Sequence, residues 1–305
     1  MSTLTSPAPL VPAAPRARRT PLTTLSAGDC ETFIRDGILP LRAAIPAVDL
    51  EPMRAAIWQR LGMNGHRRED PATWAGASGM HMRRITHHPA FTRIASPRLV
   101  GAIDDLVGAG RWQRPSSWGQ FAITMPQSGP AWEPTSSAWH SDCSPVNSQH
   151  SGLFVLILLA DVVPGGGGTL LVASSHRALA RDFARLTPPE VARKARVHRE
   201  RFNSSHPWLA QLNGLAPVPG SRTEYFAAPS AEHAPGERFQ LMEAHGQAGD
   251  AYLCHPFTYH AGSLNRSSAP RLMRIKMLPL APGESRDDPL SEHPLALSLR
   301  ANPAG

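Results

Sequence analysis

The sequence of 305 residues contains only three cysteines, Cys30, Cys143 and Cys254, which lie far apart along the chain. An odd number of widely spaced cysteines does not define a disulfide framework. Proteins without structural disulfides are typical of reducing compartments. We therefore expect a cytoplasmic location.

The chain also lacks a long hydrophobic run, because no apolar stretch approaches the ~20 residues that a membrane helix needs. The first 25 residues contain five prolines and three arginines, but no acidic residue and no hydrophobic segment of a secretory signal. We predict no membrane partner and a disordered tail over residues 1–24, with a transit peptide as the alternative.

Charged residues are sparse, at 18% of the chain, and the formal net charge of +7 is spread along its length. A nucleic-acid interface needs lysine and arginine clustered on one face, and no run here reaches that density. We predict no nucleic-acid partner.

Proline and glycine are abundant, with 31 and 24 residues, which favours many turns and short strands. The residues before 111 are mostly helical in pattern, since Ser26 with Asp29 and Ser96 with Pro97 are typical helix starts. Within this part, residues 80–86 are predicted as a strand. We assign residues 25–110 to a helical support within one domain, which spans residues 25–305.

Segments typical of strands dominate after residue 111. They lie at residues 118–125, 153–163, 169–173, 239–243, 250–254 and 271–278. The run from Leu153 to Val163 is rich in Val, Leu and Ile, which predicts a strand buried on both faces. Many short strands indicate a mainly β jelly roll or barrel with helices as a buttress. We place its core at residues 111–177 and 239–280.

Residues 178–238 interrupt these strands. Thr187 and Glu190 form a capping-box pattern before an arginine-rich helix, which is either a solvated basic face or a surface that attracts an anionic substrate. Residues 203–236 are rich in Pro, Ser and Gly, and loops of that length are usually lids or disordered. We predict a lid-like insertion over residues 178–238.

The first candidate metal-binding motif is Trp139-His140-Ser141-Asp142. In a strand, alternate side chains share a face, so His140 and Asp142 lie side by side. An imidazole next to a carboxylate supplies two thirds of a 2-His-1-carboxylate iron(II) site. The third ligand is His255 or His260, and the spacing alone does not separate them.

Arg271 indicates a second component of the site. Strand alternation places it with Met273, Ile275 and Met277 on the apolar inward face, and places Arg274 and Lys276 on the opposite face. A buried guanidinium is costly without a carboxylate, and arginine binds carboxylates in bidentate fashion. The partner is either a dicarboxylate cosubstrate or an acidic residue of the protein.

Three motifs resemble one known family in order and spacing. They are WHSD at residues 139–142, GGGGTLLVASSHR at 165–177, and GDAYLCHPFTYHAGSLNRSSAPR at 249–271. The chain resembles the phytanoyl-CoA dioxygenase-like family of iron(II)/2-oxoglutarate-dependent oxygenases over roughly residues 28–280. The resemblance implies a double-stranded β-helix, the jelly-roll or cupin-like fold.

The resemblance also implies roles for individual residues. His140, Asp142 and His260 would bind the metal, Arg271 would bind 2-oxoglutarate, and His255 would be structural. Weaker expectations add further residues to the site. Those for 2-oxoglutarate are Gln120, Thr169 and Ser263, and those for substrate are His81 and Arg83. One departure is Gly262, where the family often has serine or threonine.

The implied cofactors are Fe²⁺ and 2-oxoglutarate, with O₂ as the oxidant. The implied activity is hydroxylation of an unactivated C–H bond of a small metabolite, with release of succinate and CO₂, as in natural-product tailoring. The presence of Asp142 disfavours halogenation, whereas desaturation, cyclisation and epoxidation stay open. The alternatives are a jelly-roll metalloenzyme independent of 2-oxoglutarate and a silent binding module of the same fold. The oligomeric state stays open.

Overall fold

The computed structural model describes residues 21–146 and 148–300, apart from the side chain of residue 81. The predicted helical support contains three α-helices. They are α1 (Ala27–Asp36), α2 (Ala47–Gly62) and α3 (Pro97–Val107), with 3₁₀ helices at Pro71–Thr73, Gly79–Ile85 and Pro89–Ile94. Ser26 and Asp29 form the capping box that starts α1, and Ser96 caps α3, as predicted.

The predicted tail lies mostly outside the described residues, which begin at residue 21. Its last residues contact α3. The backbone N–H groups of Thr23 and Thr24 donate to the Asp105 carboxylate at 3.0 and 2.8 Å. The tail predicted to be disordered over residues 1–24 therefore ends in two residues, Thr23 and Thr24, that the helical support holds in place.

The strand predicted over residues 80–86 is wrong, because a 3₁₀ helix occupies Gly79–Ile85. Met82 is fully buried, and Ile85, three residues later, packs against the same core. Residues three apart fall on one side of a 3₁₀ helix, whereas in a strand they would lie on opposite faces.

Two antiparallel sheets follow. The larger contains β1 (Ile38–Leu41), β2 (Gln120–Thr124), β3 (Ser151–Leu158), β6 (Ala251–Cys254) and β8 (Arg271–Pro279), in the order β1-β6-β3-β8-β2. The smaller contains β4 (Leu170–Ala173), β5 (Gln240–Glu243) and β7 (Tyr259–Ala261), in the order β5-β4-β7. The predicted combination of a sheet-rich core with helices is confirmed, and the sheets are antiparallel.

Strand β3 is buried on both faces, as predicted. Val155 and Ile157 pack into the cluster that includes the helical support, whereas Phe154 and Leu156 belong to a cluster between the two sheets. Alternate side chains of one strand therefore fill two separate cores. The face that carries Phe154 is the inner face, and it is the face that matters for the site.

The insertion contains helices throughout. They are α4 (Ser175–Ala184), α5 (Pro188–Val191), α6 (Ala195–Asn203), α7 (Pro207–Leu212) and α8 (Arg222–Ala227); a last helix, α9, spans Pro294–Leu297. The expectation of a long loop over residues 203–236 is wrong, because Trp208 and Phe226 are buried and anchor α7 and α8.

The buried residues of the insertion pack against the outer face of the smaller sheet, together with Leu170 and Val172. The insertion is thus a buttress for that sheet, and its lid role stays a prediction. Two of its arginines are neutralised on the surface, since Arg196 pairs with Glu200 at 2.7 Å and Arg201 with Asp182 at 3.0 Å. Within the described residues, no helix combines the length and apolar composition needed to span a bilayer.

Candidate metal centre

The two motif histidines lie opposite each other on paired backbone segments. The His140 N–H donates to the His260 carbonyl at 2.9 Å, and the His260 N–H donates to the His140 carbonyl at 2.8 Å. Directly paired residues share a face, so the two imidazole rings stand side by side, with centroids 4.4 Å apart. Local pairing therefore brings together two residues that are 120 positions apart in sequence.

Asp142 completes a cluster of three. One carboxylate oxygen lies 3.6 Å from His140 Nε2, and the other lies 3.8 Å from His260 Nε2. One ligand atom from each residue lies within 4.8 Å of the others, which suits three ligands around a single ion. Two imidazoles and one carboxylate are the donor set of non-haem iron(II) sites.

Backbone carbonyls fix the orientation of both rings. His140 Nδ1 lies 2.7 Å from the Ala138 carbonyl, and His260 Nδ1 lies 3.0 Å from the Thr258 carbonyl. A carbonyl only accepts, so each Nδ1 carries the proton and each Nε2 keeps its lone pair for a metal. Ala138 has a left-handed backbone, with φ of 62°, and this strained turn aims its carbonyl at the ring.

The surroundings of His260 favour the neutral imidazole that a metal requires. Burial lowers the pKa of His260, and the neighbouring His140 lowers it further, against the opposing effect of Asp142. The ring also stacks on Phe154, with centroids 4.6 Å apart. His260 is thus held between an apolar wall and the other two members of the cluster.

The outer face behind the ligands is braced by aromatic residues. Trp139 and Tyr259 each precede a histidine of the cluster, and their rings stack with centroids 5.8 Å apart. The Tyr259 hydroxyl lies 3.1 Å from the Trp139 carbonyl and also contacts Asn203 and Asn213 of the insertion. The insertion therefore helps to hold the two ligand strands together.

Arg271 lies on the inner face, as predicted, and is 8% exposed. It pairs with Thr124 across the sheet, and its Nη1 donates to the Gly167 carbonyl. Its Nε is buried and has no partner among the described residues. Burial lowers the pKa of Arg271 to about 10, although the nearby Glu243 opposes this shift. The guanidinium is therefore buried with incomplete compensation.

Glu243 is the acidic residue whose charge acts on Arg271, but its carboxylate accepts hydrogen bonds from the glycine turn. Its two oxygens accept from the N–H groups of Gly165 and Gly168 at 2.7 and 2.9 Å. Within the described residues it makes no ion pair with Arg271 inside 4.0 Å. The protein thus supplies Arg271 with a counter-charge that acts without a direct ion pair. The glycine run at residues 165–168 lies in the connection between β3 and β4.

His255 lies away from the cluster. It is fully buried, its Nδ1 accepts from the Phe257 N–H at 3.0 Å, and its ring lies 5.1 Å from that of His176. The residue that joins His140 and Asp142 is His260. Backbone pairing therefore places His260, and not His255, beside His140 and Asp142, and its role as the third ligand stays a prediction.

The structure places the weaker candidates in different surroundings. Gln120 and Arg83 are exposed and line one cavity of about 750 Å³. Thr169 is buried, and its carbonyl accepts from the Ala244 N–H at 2.8 Å. The Ser263 hydroxyl lies 3.4 Å from Trp132 Nε1. The side chain of His81 lies outside the described residues, and the ligand roles of all five residues stay predictions.

Arg274 was not recognised as a buried residue from the sequence. It lies on the face opposite Arg271, as predicted, yet it is fully buried and lies over the rings of Phe91 and Phe121, at 4.8 and 4.0 Å from their centroids. It donates to the Gly119 carbonyl at 2.6 Å, and burial lowers its pKa to about 10. The burial of Arg274 could have been predicted from the helical support, because those helices cover this face of the larger sheet.

A His-Asp-His cluster and a buried arginine on the inner face of antiparallel sheets are the side chains that non-haem iron(II) oxygenases use. The family described as Phytanoyl-CoA dioxygenase (PhyH) matches residues 33–273. The match covers most of the chain, and the chain belongs to this family.

Several solved structures are similar to this chain at low sequence identity. The non-heme alpha ketoglutarate dependent carbocyclase SnoK from nogalamycin biosynthesis is similar with a TM-score of 0.52 and 18% identity, over 86% of each chain. EctD from S. alaskensis with bound Fe has a TM-score of 0.49 and 17% identity, over 87% of this chain and 80% of its own.

The epimerase SnoN, solved in complex with Fe3+, alpha ketoglutarate and nogalamycin RO, has a TM-score of 0.40 and 19% identity, over 83% of this chain and 82% of its own. A comparison with curated protein sequences gave no match.

Proposed function

We propose that this protein is an Fe²⁺/2-oxoglutarate-dependent dioxygenase that hydroxylates an unactivated C–H bond of a small metabolite. One observation carries the proposal. The inner face presents two imidazoles with free Nε2 lone pairs, a carboxylate beside them and a buried guanidinium whose Nε has no partner among the described residues. A metal-bound dicarboxylate satisfies both features at once.

In this proposal His140, Asp142 and His260 hold Fe²⁺ and leave coordination positions open for 2-oxoglutarate and O₂. Arg271 holds the far carboxylate of 2-oxoglutarate. When bound, the iron and the cosubstrate supply the oxidising chemistry, in which 2-oxoglutarate is decarboxylated to succinate and CO₂ as the substrate is oxidised. The two backbone carbonyls keep the imidazoles in the tautomer that binds metal.

The same proposal assigns the two sheets to a double-stranded β-helix. It assigns Gln120, Thr169 and Ser263 to the surroundings of 2-oxoglutarate, and His81 and Arg83 to the substrate. Hydroxylation is the proposed outcome because Asp142 occupies the position that a halide would need. Desaturation, cyclisation and epoxidation use the same ligands and are distinguished by product analysis.

The test is iron-dependent release of succinate from 2-oxoglutarate under air, over a broad panel of small metabolites. We expect activity in the wild type, and loss of at least ~100-fold in His140→Ala and Arg271→Ala, because each removes a direct contact to iron or cosubstrate. The matched control is His87→Ala, which removes an exposed histidine away from the cluster.

Two other outcomes would replace the proposal. Metal-dependent turnover without 2-oxoglutarate would favour a jelly-roll metalloenzyme of another kind. Absence of any turnover across the panel, with metal and 2-oxoglutarate both failing to bind, would favour a silent binding module.

A further inference from the structure

A cavity of about 750 Å³ lies at the edge of the larger sheet, between β2 and the 3₁₀ helix Gly79–Ile85. Its volume falls in the range of small-molecule sites. Two cationic side chains and four hydroxyl groups line it: Arg83, Lys276, Ser78, Thr86, Ser116 and Ser117. The Thr86 and Ser117 hydroxyls already donate to backbone carbonyls, so the attraction for an anion comes mainly from the two cations.

The cations of the cavity are not neutralised by the protein. Its lining contains no aspartate or glutamate. Within the described part of the chain, neither Arg83 nor Lys276 has an acidic partner inside 4.0 Å. Arg83 is exposed and Lys276 is half-buried, so both can reach a molecule that enters from solvent.

A third cation lies directly behind the wall. Arg274 donates to the Gly119 carbonyl and, at 3.1 Å, to the Ser117 hydroxyl, and both residues line the cavity. Its Nε and Nη1 are buried without partners in the described residues. A buried guanidinium in a region of low dielectric adds to the positive potential of the cavity more effectively than an exposed one would.

The cavity also reaches the inner face of the sheet. Strand β2 is an edge strand, and residues from both of its faces line the cavity, including Gln120 and Ala122. Ala122 pairs with Met273, and Gln120 with Ile275, so both point to the same side as Arg271. A molecule in this cavity can therefore extend past Gln120 towards the inner face.

We propose that this cavity binds the anionic group of the substrate, a carboxylate or a phosphate monoester, through Arg83 and Lys276. The inference rests on the proposed function, since it names the substrate class of the same enzyme. The remainder of the substrate passes the edge of β2 beside Gln120 and presents its C–H bond at the inner face. Arginine and lysine bind such groups through charge-assisted hydrogen bonds.

The first test measures binding of two probes, inorganic phosphate and octanoate, by calorimetry at low salt with 2-oxoglutarate present. We expect the double variant Arg83→Gln/Lys276→Gln to bind at least one probe about tenfold more weakly, as two partly screened charges allow. The matched control is Arg84→Gln, an exposed neighbour outside the cavity lining, which should change binding less than twofold. Equal loss in both variants, or no loss in the double variant, would overturn the proposal.

The second test compares turnover of acids with that of their uncharged amides. We expect the wild type to prefer the acid, and the double variant to lose that preference through a higher KM with a smaller change in kcat. Amides that serve as well as acids in the wild type would contradict the substrate role.

The two proposals fail in different ways. Arg271→Met should lose 2-oxoglutarate binding and keep probe binding, whereas the double variant should keep 2-oxoglutarate affinity within about twofold and lose the probe. Absence of succinate release with every substrate counts against the proposed function. Succinate release with unaltered probe binding in the double variant counts against this inference alone. Thermal unfolding of each variant confirms that it is folded before it is scored.

Discussion

Replacing Arg271 with methionine separates the cost of this residue to the fold from its role in the site. The residue is 8% exposed, and burial lowers its pKa from 12.5 to about 10. That change corresponds to about 3 kcal/mol of unfavourable free energy for the charged form in the folded protein. Methionine has a similar length and carries no charge to bury.

Arg271 also contributes some stability that the substitution would remove. Arg271→Met removes the hydrogen bond to the Gly167 carbonyl, which costs about 1–3 kcal/mol if that acceptor stays unpaired. The two effects nearly offset each other. We therefore expect the free energy of unfolding without ligands to change by less than about 2 kcal/mol, in either direction.

Ligand binding should show the opposite result. At a 2-oxoglutarate concentration 100 times its Kd, the wild type gains about 2.7 kcal/mol of stability. Loss of one partner of a buried charge pair costs about 2–5 kcal/mol, so Arg271→Met should lose nearly all of this gain. The assay is urea unfolding with Mn²⁺ in place of iron, with and without 2-oxoglutarate. The matched control is Arg274→Met, a second buried arginine on the opposite face, which should retain the gain.

A different result would refute this reasoning. If Glu243 were the true partner of Arg271, replacing the arginine would leave this half-buried carboxylate without its ion pair and destabilise the protein by up to about 3–5 kcal/mol. Such a loss without ligands, together with an undiminished gain from 2-oxoglutarate, would mean that Arg271 is structural.

Three further predictions concern the ligands, the insertion and the edge strand. In a metal titration, His260→Ala should weaken Fe²⁺ binding by at least ~100-fold. His255→Ala should destabilise the fold and leave the affinity for Fe²⁺ within about threefold. The reverse pattern would make His255 the ligand. Burial raises the pKa of Glu237, but His233, Arg181 and Arg177 outweigh it and lower the pKa from 4.5 to about 2. The carboxylate therefore stabilises the fold by about 3 kcal/mol above pH 4.5, and this stabilisation is lost as the pH falls from 4.5 to about 2. In urea unfolding, the difference in free energy of unfolding between wild type and Glu237→Gln should disappear over that pH range. A difference that stays constant would contradict the prediction. In thermal unfolding, Gly119→Ala should destabilise the protein more than Gly65→Ala. Both glycines have positive φ, but only at Gly119 would a Cβ clash with the Ile275 carbonyl oxygen. Equal effects of the two substitutions would contradict this close approach.

The sequence was sufficient where a local pattern is also the physical cause. The capping box at Ser26 and Asp29 is complete within four residues, and the structure contains it. The two-sided burial of β3 follows from its unbroken apolar run, because a strand with polar residues on neither face must be covered on both. The inward face of Arg271 follows from alternation along one strand.

The sequence was insufficient where a neighbouring layer decides the outcome. Arg274 is on the face that alternation predicts, but its burial depends on Phe91 and Phe121, which come from other elements. The 3₁₀ helix at Gly79–Ile85 packs closely against β2, where a Cβ on Gly79 would clash with the Phe121 carbonyl, and this contact with a distant strand is not visible in the local pattern. The choice of His260 over His255 likewise depends on pairing with His140, which no local pattern contains.

The central claim is that one inner face holds iron and 2-oxoglutarate together. The most direct measurement is an anaerobic titration of the wild type with Fe²⁺, with 2-oxoglutarate present, that follows the visible charge-transfer absorption of the iron–oxoacid chelate. We predict that the absorption saturates at one iron per chain, requires 2-oxoglutarate, and is absent in His140→Ala. Iron binding that produces no absorption dependent on 2-oxoglutarate, or binding that His140→Ala leaves intact, would contradict the account.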